Sequence, residues 1–299
     1  MVLRIFISIL SIVFISGCNP YVDKSETEED LWRLRWRMQA SIEFDKDIKL
    51  AKKQFDILYS KTKDIEALKM GINLLGKKEL KNKIDDIICT QSDSIKSELC
   101  YYRVYPIKIK CCDSMMKKDE FEEIVNIPKL RDTIILMYIK DQVSRGENKT
   151  QLADKYGLEI PIINRNVVHD VDGENVRKLK SIIEKYGFPS RYMVGIDAME
   201  GVWTIIQHAN NPWWQEEMLP YIEDLVQNGE LSKSNLAYLK DRILTNLNKE
   251  QIYGTQVKEF DKYKDIFILK PTQDSINVDK RRMEVGLPPI EYYKRLYFN

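Results

Sequence analysis

Laid out at about 100° per residue, the stretch "AMEGVWTIIQHA" (residues 198–209) separates into two sides. Ala198, Met199, Val202, Ile205, Ile206 and Ala209 form an apolar arc with Trp203 at its edge, while Glu200, Thr204, Gln207 and His208 fall opposite. That pattern predicts an amphipathic helix flanked, at its end, by one of the chain's 2 histidines. The same periodicity recurs upstream and downstream. "DLWRLRWRMQASIEFDKDIKLAKKQFDILYSK" (30–61) reads as one long amphipathic helix opening on acids, with Trp32 and Trp36 four apart on an inward face. Up to about Thr150 the pattern predicts about five helices in an irregular bundle, punctuated by Gly71, Gly76, Pro106 and Pro128.

Helical periodicity lapses in "NKTQLADKYGLEIPIINRNVVHD" (148–170), where Gly157 and Pro161 break it, and this segment reads as a connection. It resumes in "DGENVRKLKSIIEKYGFPS", with Asp172 as N-cap and Gly187-Phe188-Pro189 as the stop. "NNPWWQEEMLPYIEDLVQNGE" predicts a further helix after the Asn-Pro turn, with Trp213 and Trp214 as core anchors. Ser232 or Ser234 then caps a helix whose buried stripe is Leu236, Leu239, Ile243 and Leu247, leaving Asp241 and Arg242 on its polar face. Beyond it the period shortens: "QIYGTQVKEF" and "KDIFILK" read as two strands of a hairpin. "NVDKRRMEVGLPPIEYYKRLYF" gives a short helix with Arg281 and Arg282 exposed, then a last aromatic helix. The fold class expected is mainly α: an irregular helical bundle followed by a helical domain with a small β-hairpin.

The first residues alter the picture of where the chain resides. "MVLRIFISILSIVFISGCNP" has a basic start, a short apolar run and small residues before a cysteine, the pattern of an export signal too short to span a bilayer. Ile15-Ser16-Gly17-Cys18 resembles a bacterial lipobox, which implies lipidation of Cys18, cleavage before it and anchoring to a membrane through acyl chains. Asn19 stands where an aspartate would resemble an inner-membrane retention signal, so the outer membrane is favoured in a diderm host. The acid-rich "YVDKSETEED" reads as a flexible tether, and its resemblance to surface-export signals leaves surface exposure open. The organisation expected is therefore a signal peptide over 1–17, lipidated cysteine and tether over 18–30, a helical region over 31–160 and a C-terminal domain over 161–299.

Charge excludes one class of partner. The 299 residues carry 47 basic and 46 acidic side chains, and loss of Arg4 with the signal leaves the mature chain formally neutral. Nucleic-acid binding through a basic face is disfavoured. Export makes disulfides feasible among Cys89, Cys100, Cys111 and Cys112; the adjacent pair is a strained partner for itself, so each of Cys111 and Cys112 is expected to reach Cys89 or Cys100 if oxidised. Four reduced, buried cysteines remain the alternative. Neither these cysteines nor the histidines have the spacing of a metal site, and "HDVDGEN" lacks the glycine and glutamate positions of a calcium loop. No metal and no cofactor are expected.

Several blocks, in this order, carry a resemblance: "DGENVRKLKSIIEKYGFPS", "GVWTIIQHANNPWWQ", "LAYLKDRI", "QIYGTQ" and "VDKRRMEVGLPPIEYY". Together they resemble a widespread family of uncharacterised bacterial proteins over roughly residues 165 to 295; Phe188 stands where that family often has tryptophan. The resemblance implies candidate positions without a mechanism: Gln207, His208, Asp241, Arg242, Gln251, Tyr253, Gly254, Thr255, Gln256, Arg281 and Arg282.

Two readings of these positions stand side by side. In the first, His208 is a general acid or base oriented by Asp241. Arg242, Arg281 and Arg282 hold an anionic group, and Gln207, Tyr253, Thr255 and Gln256 bind hydroxyls or amides of an envelope-derived ligand. In the second, the same groups form a structural polar network, and the chain is a scaffold or protein-interaction lipoprotein. No G-x-S-x-G, H-E-x-x-H or phosphate-cradling glycine loop adds weight to catalysis, so the sequence leaves open whether the protein is an enzyme.

Overall fold

A computed structural model describes residues 27–62, 86–93, 95–96, 111, 125–160, 162 and 168–298. The signal peptide, Cys18, nearly all of the tether, Cys100 and Cys112 lie outside the described residues, as do most of the helices expected between residues 63 and 124. The architecture is mainly α, with one two-stranded antiparallel hairpin among the described residues. None of the described helices is long and apolar enough to cross a membrane. The chain divides into two compact units, one within Glu123–Leu287, the other made of the preceding residues together with the segment that begins at Pro288.

The N-terminal unit is built on α1 (Glu28–Glu43), α2 (Ile48–Thr62) and the chain's last helix. Helix α1 starts within the expected tether because Thr27 and Asp30 form a reciprocal capping box. The single long helix read over 30–61 is in fact two, broken after Glu43 where Lys46 takes a φ of 56°. Breaking there lets the two apolar faces fold onto each other, burying Trp32, Met38, Ala51, Phe55 and Leu58. Cys89 is disulfide-bonded to Cys111, one of the expected pairings.

The C-terminal unit contains α3 (Pro128–Ser144), α4 (Thr150–Tyr156), α5 (Val168–Tyr186), α6 (Arg191–Val194), α7 (Ile196–His208), α8 (Pro212–Gln227) and α9 (Lys233–Asn246). After these come β1 (Val257–Asp261), β2 (Ile266–Leu269) and α10 (Val278–Glu284); α11 (Ile290–Phe298) is the helix that closes the N-terminal unit. The boundary read at residue 161 does not separate these units. Helix α3 is apolar on nearly every side, with Leu130, Ile134, Ile135, Met137 and Ile139 all buried, so it needs neighbours all round and finds them around α7.

Helix α7 is the axis of this unit and packs against α3, α5, α6, α8 and α9. Its expected polar side is therefore not solvated: Thr204 is 2 % exposed and Gln207 fully buried. Gly201 permits the closest approach, because a Cβ there would stand 2.9 Å from the Cβ of Tyr138 on α3. Local punctuation follows the sequence in places. Ser232 caps α9 by accepting from the Asn235 N–H at 3.1 Å, and Gly187 ends α5 at a φ of 78°. Elsewhere it does not: α5 begins at Val168, so Asp172 lies inside the helix and is not its cap. Trp214 is buried as expected, whereas Trp213 is 65 % exposed.

The hairpin pairs Val257 with Leu269, Phe260 with Phe267 and Asp261 with Ile266. Its first strand is shorter than the period-two pattern predicts, because residues 251–256 form a loop with only an isolated bridge from Gln251 to Thr272. The backbone donors of that loop are taken elsewhere, by a buried carboxylate.

Candidate functional site

The buried carboxylate is Asp241, in the middle of α9 and fully inaccessible to solvent. It accepts from the backbone N–H groups of Ile252 at 2.7 Å, Tyr253 at 3.1 Å and Thr255 at 2.9 Å, and from the Thr255 hydroxyl at 3.0 Å. Gly254 supplies the positive φ of 66° that turns the loop round the acid. The loop's outward carbonyls are held by α10. Arg281 donates to the Ile252 carbonyl at 2.9 Å, and Arg282 donates to those of Tyr253 at 2.7 Å and Gly254 at 3.2 Å. Gln251 and Gln256 close the base of the loop on each other, the Gln251 side chain donating to the Gln256 carbonyl and accepting from its N–H.

Two sequence expectations are corrected by this arrangement. Asp241 does not orient His208, since its oxygens are filled by four donors of the "YGTQ" loop region. Arg282 is not exposed; it is completely buried, and its Nη1 donates to backbone carbonyls instead of an incoming anion. Thr255 and Gln256 are also committed to this network, with Gln256 donating to the Thr255 hydroxyl at 3.0 Å. Tyr253 enters through its backbone, and Arg242, the next residue on α9, is half-buried. The assembly is a clamp that docks the hairpin segment onto α9, with every oxygen of Asp241 supplied with donors.

His208 belongs to a different cluster. Its Nδ1 lies 2.8 Å from Oδ1 and 3.0 Å from Oδ2 of Asp141 on α3, with only 6 % of the imidazole side chain and 1 % of the aspartate exposed. Gln142 donates to the same carboxylate at 2.7 Å. Arg145, the residue that caps the end of α3 one turn on from Asp141, reaches Asp141 at 3.0 Å and bonds both oxygens of Asp172 on α5 at 2.7 and 2.8 Å. Burial pushes the Asp172 carboxyl above its ordinary range, outweighing the opposing pull of Arg145.

The same seam continues towards the start of α7. Tyr138, Asp141 and Gln142 on α3 and Arg145 at its C-cap follow one another at helical spacing, and Glu200, Thr204 and His208 do so on α7. Burial pushes the Glu200 carboxyl up to about 7, against a hydrogen bond from Asn235 and the charge of Lys149. Burial likewise lowers the Lys149 ammonium and raises the Tyr138 hydroxyl, which lie 3.4 Å apart. Among the described residues the buried acceptors Gln142 Oε1, Glu147 Oε1 and Gln207 Oε1 have no hydrogen-bond donor.

Chemically, the cluster offers a base with its orienting acid. The carboxylate facing Nδ1 fixes the orientation of the His208 ring, which is the part an acid plays beside a catalytic imidazole. Asp141, Asp172 and His208 also bring potential cation ligands within 4.8 Å of one another. A cation there would compete directly with the Arg145 guanidinium, which already bonds both acids.

Sequence reasoning found His208 and Gln207 but missed Asp141, Gln142, Arg145, Asp172 and Glu200 as members of a site. The available signal was the polar stripe Asp141-Gln142-Arg145 at the end of the otherwise apolar run "TIILMYI". A family model described as a family of unknown function, DUF6624, matches residues 128–299. No curated protein and no solved structure matches the chain.

Proposed function

The chain belongs to the family of unknown function DUF6624, and from that premise we propose an exported, lipid-anchored protein whose C-terminal unit binds or processes a polar ligand of the cell envelope at the Asp141–His208 pair. The observation that carries this reading is the 2.8 Å contact between His208 Nδ1 and a carboxylate that is itself 99 % buried. An acid that fixes the tautomer and orientation of an imidazole is the arrangement general acid–base chemistry requires. The neighbouring Gln142 Oε1, a buried acceptor without a donor among the described residues, suits a ligand bearing hydroxyl or amide groups. Of the residues first considered for ligand contact, Thr255, Gln256, Arg281 and Arg282 are assigned to the structural clamp.

The anchoring reading rests on "ISGC" ending at Cys18 directly after the apolar run, and it places the protein in the bacterial envelope, in the outer membrane of a diderm host. It is tested by growth with a labelled fatty acid: the label is expected in wild type and absent from Cys18→Ser.

The second reading, a non-catalytic scaffold, is favoured by one observation, the 6 % exposure of the His208 side chain. Thermal melting of wild type and His208→Gln, with and without disaccharide-peptide fragments of cell wall, separates the two. The binding reading expects variants that melt within a few degrees of each other and a fragment-induced rise in wild type alone. A steep loss of stability in His208→Gln, with no fragment effect on either protein, would establish the scaffold.

A further inference from the structure

The N-terminal unit contains a half-open cavity of about 210 Å³ between α1, α2 and α11. We propose that this cavity binds a small organic anion, a carboxylate or phosphate carried on a saccharide or similarly compact ring. The site shares no residue with the Asp141–His208 cluster and does not rest on that reading.

Its chemistry is set by three arginines. Arg33 is braced by Glu29 at 2.7 Å, and Arg295 by Asp45 at 2.5 Å with its guanidinium 4.8 Å from the Phe44 ring centroid. Both forks are thereby held in place at the rim. Arg37 follows Arg33 by one helical turn, so it shares that face of α1. It is exposed, and its side chain makes no ion pair or hydrogen bond with any described residue. The lining holds two acids, Asp45 and Glu291, and Glu29 adds a third through its pair with Arg33, so the charges balance overall and Arg37 is the lining arginine with no acid in ion-pair contact among the described residues. A guanidinium with no ion pair or hydrogen bond to a described residue, beside two braced ones, is suited to receive a planar or tetrahedral anion.

The rest of the wall selects the body that carries the charge. Trp36 and Tyr292, whose ring centroids are 4.8 Å apart, present an aromatic side against which a sugar ring or other flat body can lie. In the lining, the Ser41 hydroxyl lies 3.0 Å from both the Arg37 carbonyl and Gln54 Oε1, a polar group suited to a ring hydroxyl. At about 210 Å³ and open on one side, the cavity offers room for one ring-sized body.

Isothermal titration of the full chain in detergent tests this, with N-acetylmuramic acid, N-acetylglucosamine as the same ring without the carboxylate, and inorganic phosphate. Binding of the muramic acid derivative or of phosphate, without binding of the neutral sugar, is expected, and which of the two binds identifies the anion. Arg37→Gln is expected to weaken that binding about tenfold or more, the loss of one charge-assisted hydrogen bond. The residue is exposed and its side chain bonds no described residue, so the variant is expected to melt with wild type. His208→Gln is expected to leave the titration unchanged. Equal binding of the neutral sugar, no binding of either anion at millimolar concentration, or indifference to Arg37→Gln in a folded variant would each overturn the proposal.

Discussion

His208 and Asp141, separated by 67 positions in the chain, meet at 2.8 Å at the seam between α7 and α3. The acid is shared: Gln142 and Arg145 also hold it, and Arg145 passes its charge on to Asp172. Removing different members of this cluster therefore has different consequences.

Arg145 is the member whose loss is expected to be most damaging. With its side chain 10 % exposed it pairs with two carboxylates that are 1 % and 10 % exposed. Arg145→Ala leaves both acids buried in excess, and a cost of about 3–5 kcal/mol is expected. Lysine can contact one acid but cannot fork across two, so Arg145→Lys is expected to fall between alanine and wild type. Urea unfolding of the three proteins measures this, and equal midpoints would refute the assignment of Arg145 as the central counter-charge.

Asp241 is expected to act on a segment far along the chain from itself. It accepts from the N–H groups of Ile252, Tyr253 and Thr255, so Asp241→Ala strands three donors, each costing about 1–3 kcal/mol when buried without a partner. In hydrogen–deuterium exchange those three amides are expected to lose protection first. Unchanged protection over residues 251–256 would show that the loop holds its shape without the acid.

Glu200 gives the C-terminal unit a pH dependence of defined sign. Its carboxyl rises from an ordinary 4.5 to about 7 through burial. Between those values the folded protein keeps a proton that the unfolded chain has released. The contribution is thus fully present below the ordinary value and lost as pH rises through about 7. The melting temperature of wild type is expected to fall between about pH 5 and about pH 8, and Glu200→Gln is expected to flatten that part of the profile. Parallel profiles for the two proteins would contradict the burial of this group.

Much of the fold is legible along the chain. The helical class, the Ser232 cap, the Gly187 stop and the presence of a hairpin follow from backbone preferences and from apolar spacing within a few residues. Helix α3 was legible as a helix and illegible as a neighbour: its even apolarity says that it is buried and does not say against what.

The functional residues divide along the same line. His208 stands out in the sequence because its helix is amphipathic and histidines are scarce, and the "YGTQ" block stands out through the family resemblance. Which acid serves which group was decided only in three dimensions. Asp241 bonds a loop whose first donor, Ile252, lies 11 positions later, and Asp141 faces a helix end 67 positions away. Periodicity fixes which side of a helix a residue occupies, since that depends on neighbours three and four positions along the same backbone. It carries no information about which other helix covers that side. That choice belongs to packing of the whole unit, where the space left by Gly201 lets α7 settle onto α3 and brings the imidazole to its carboxylate.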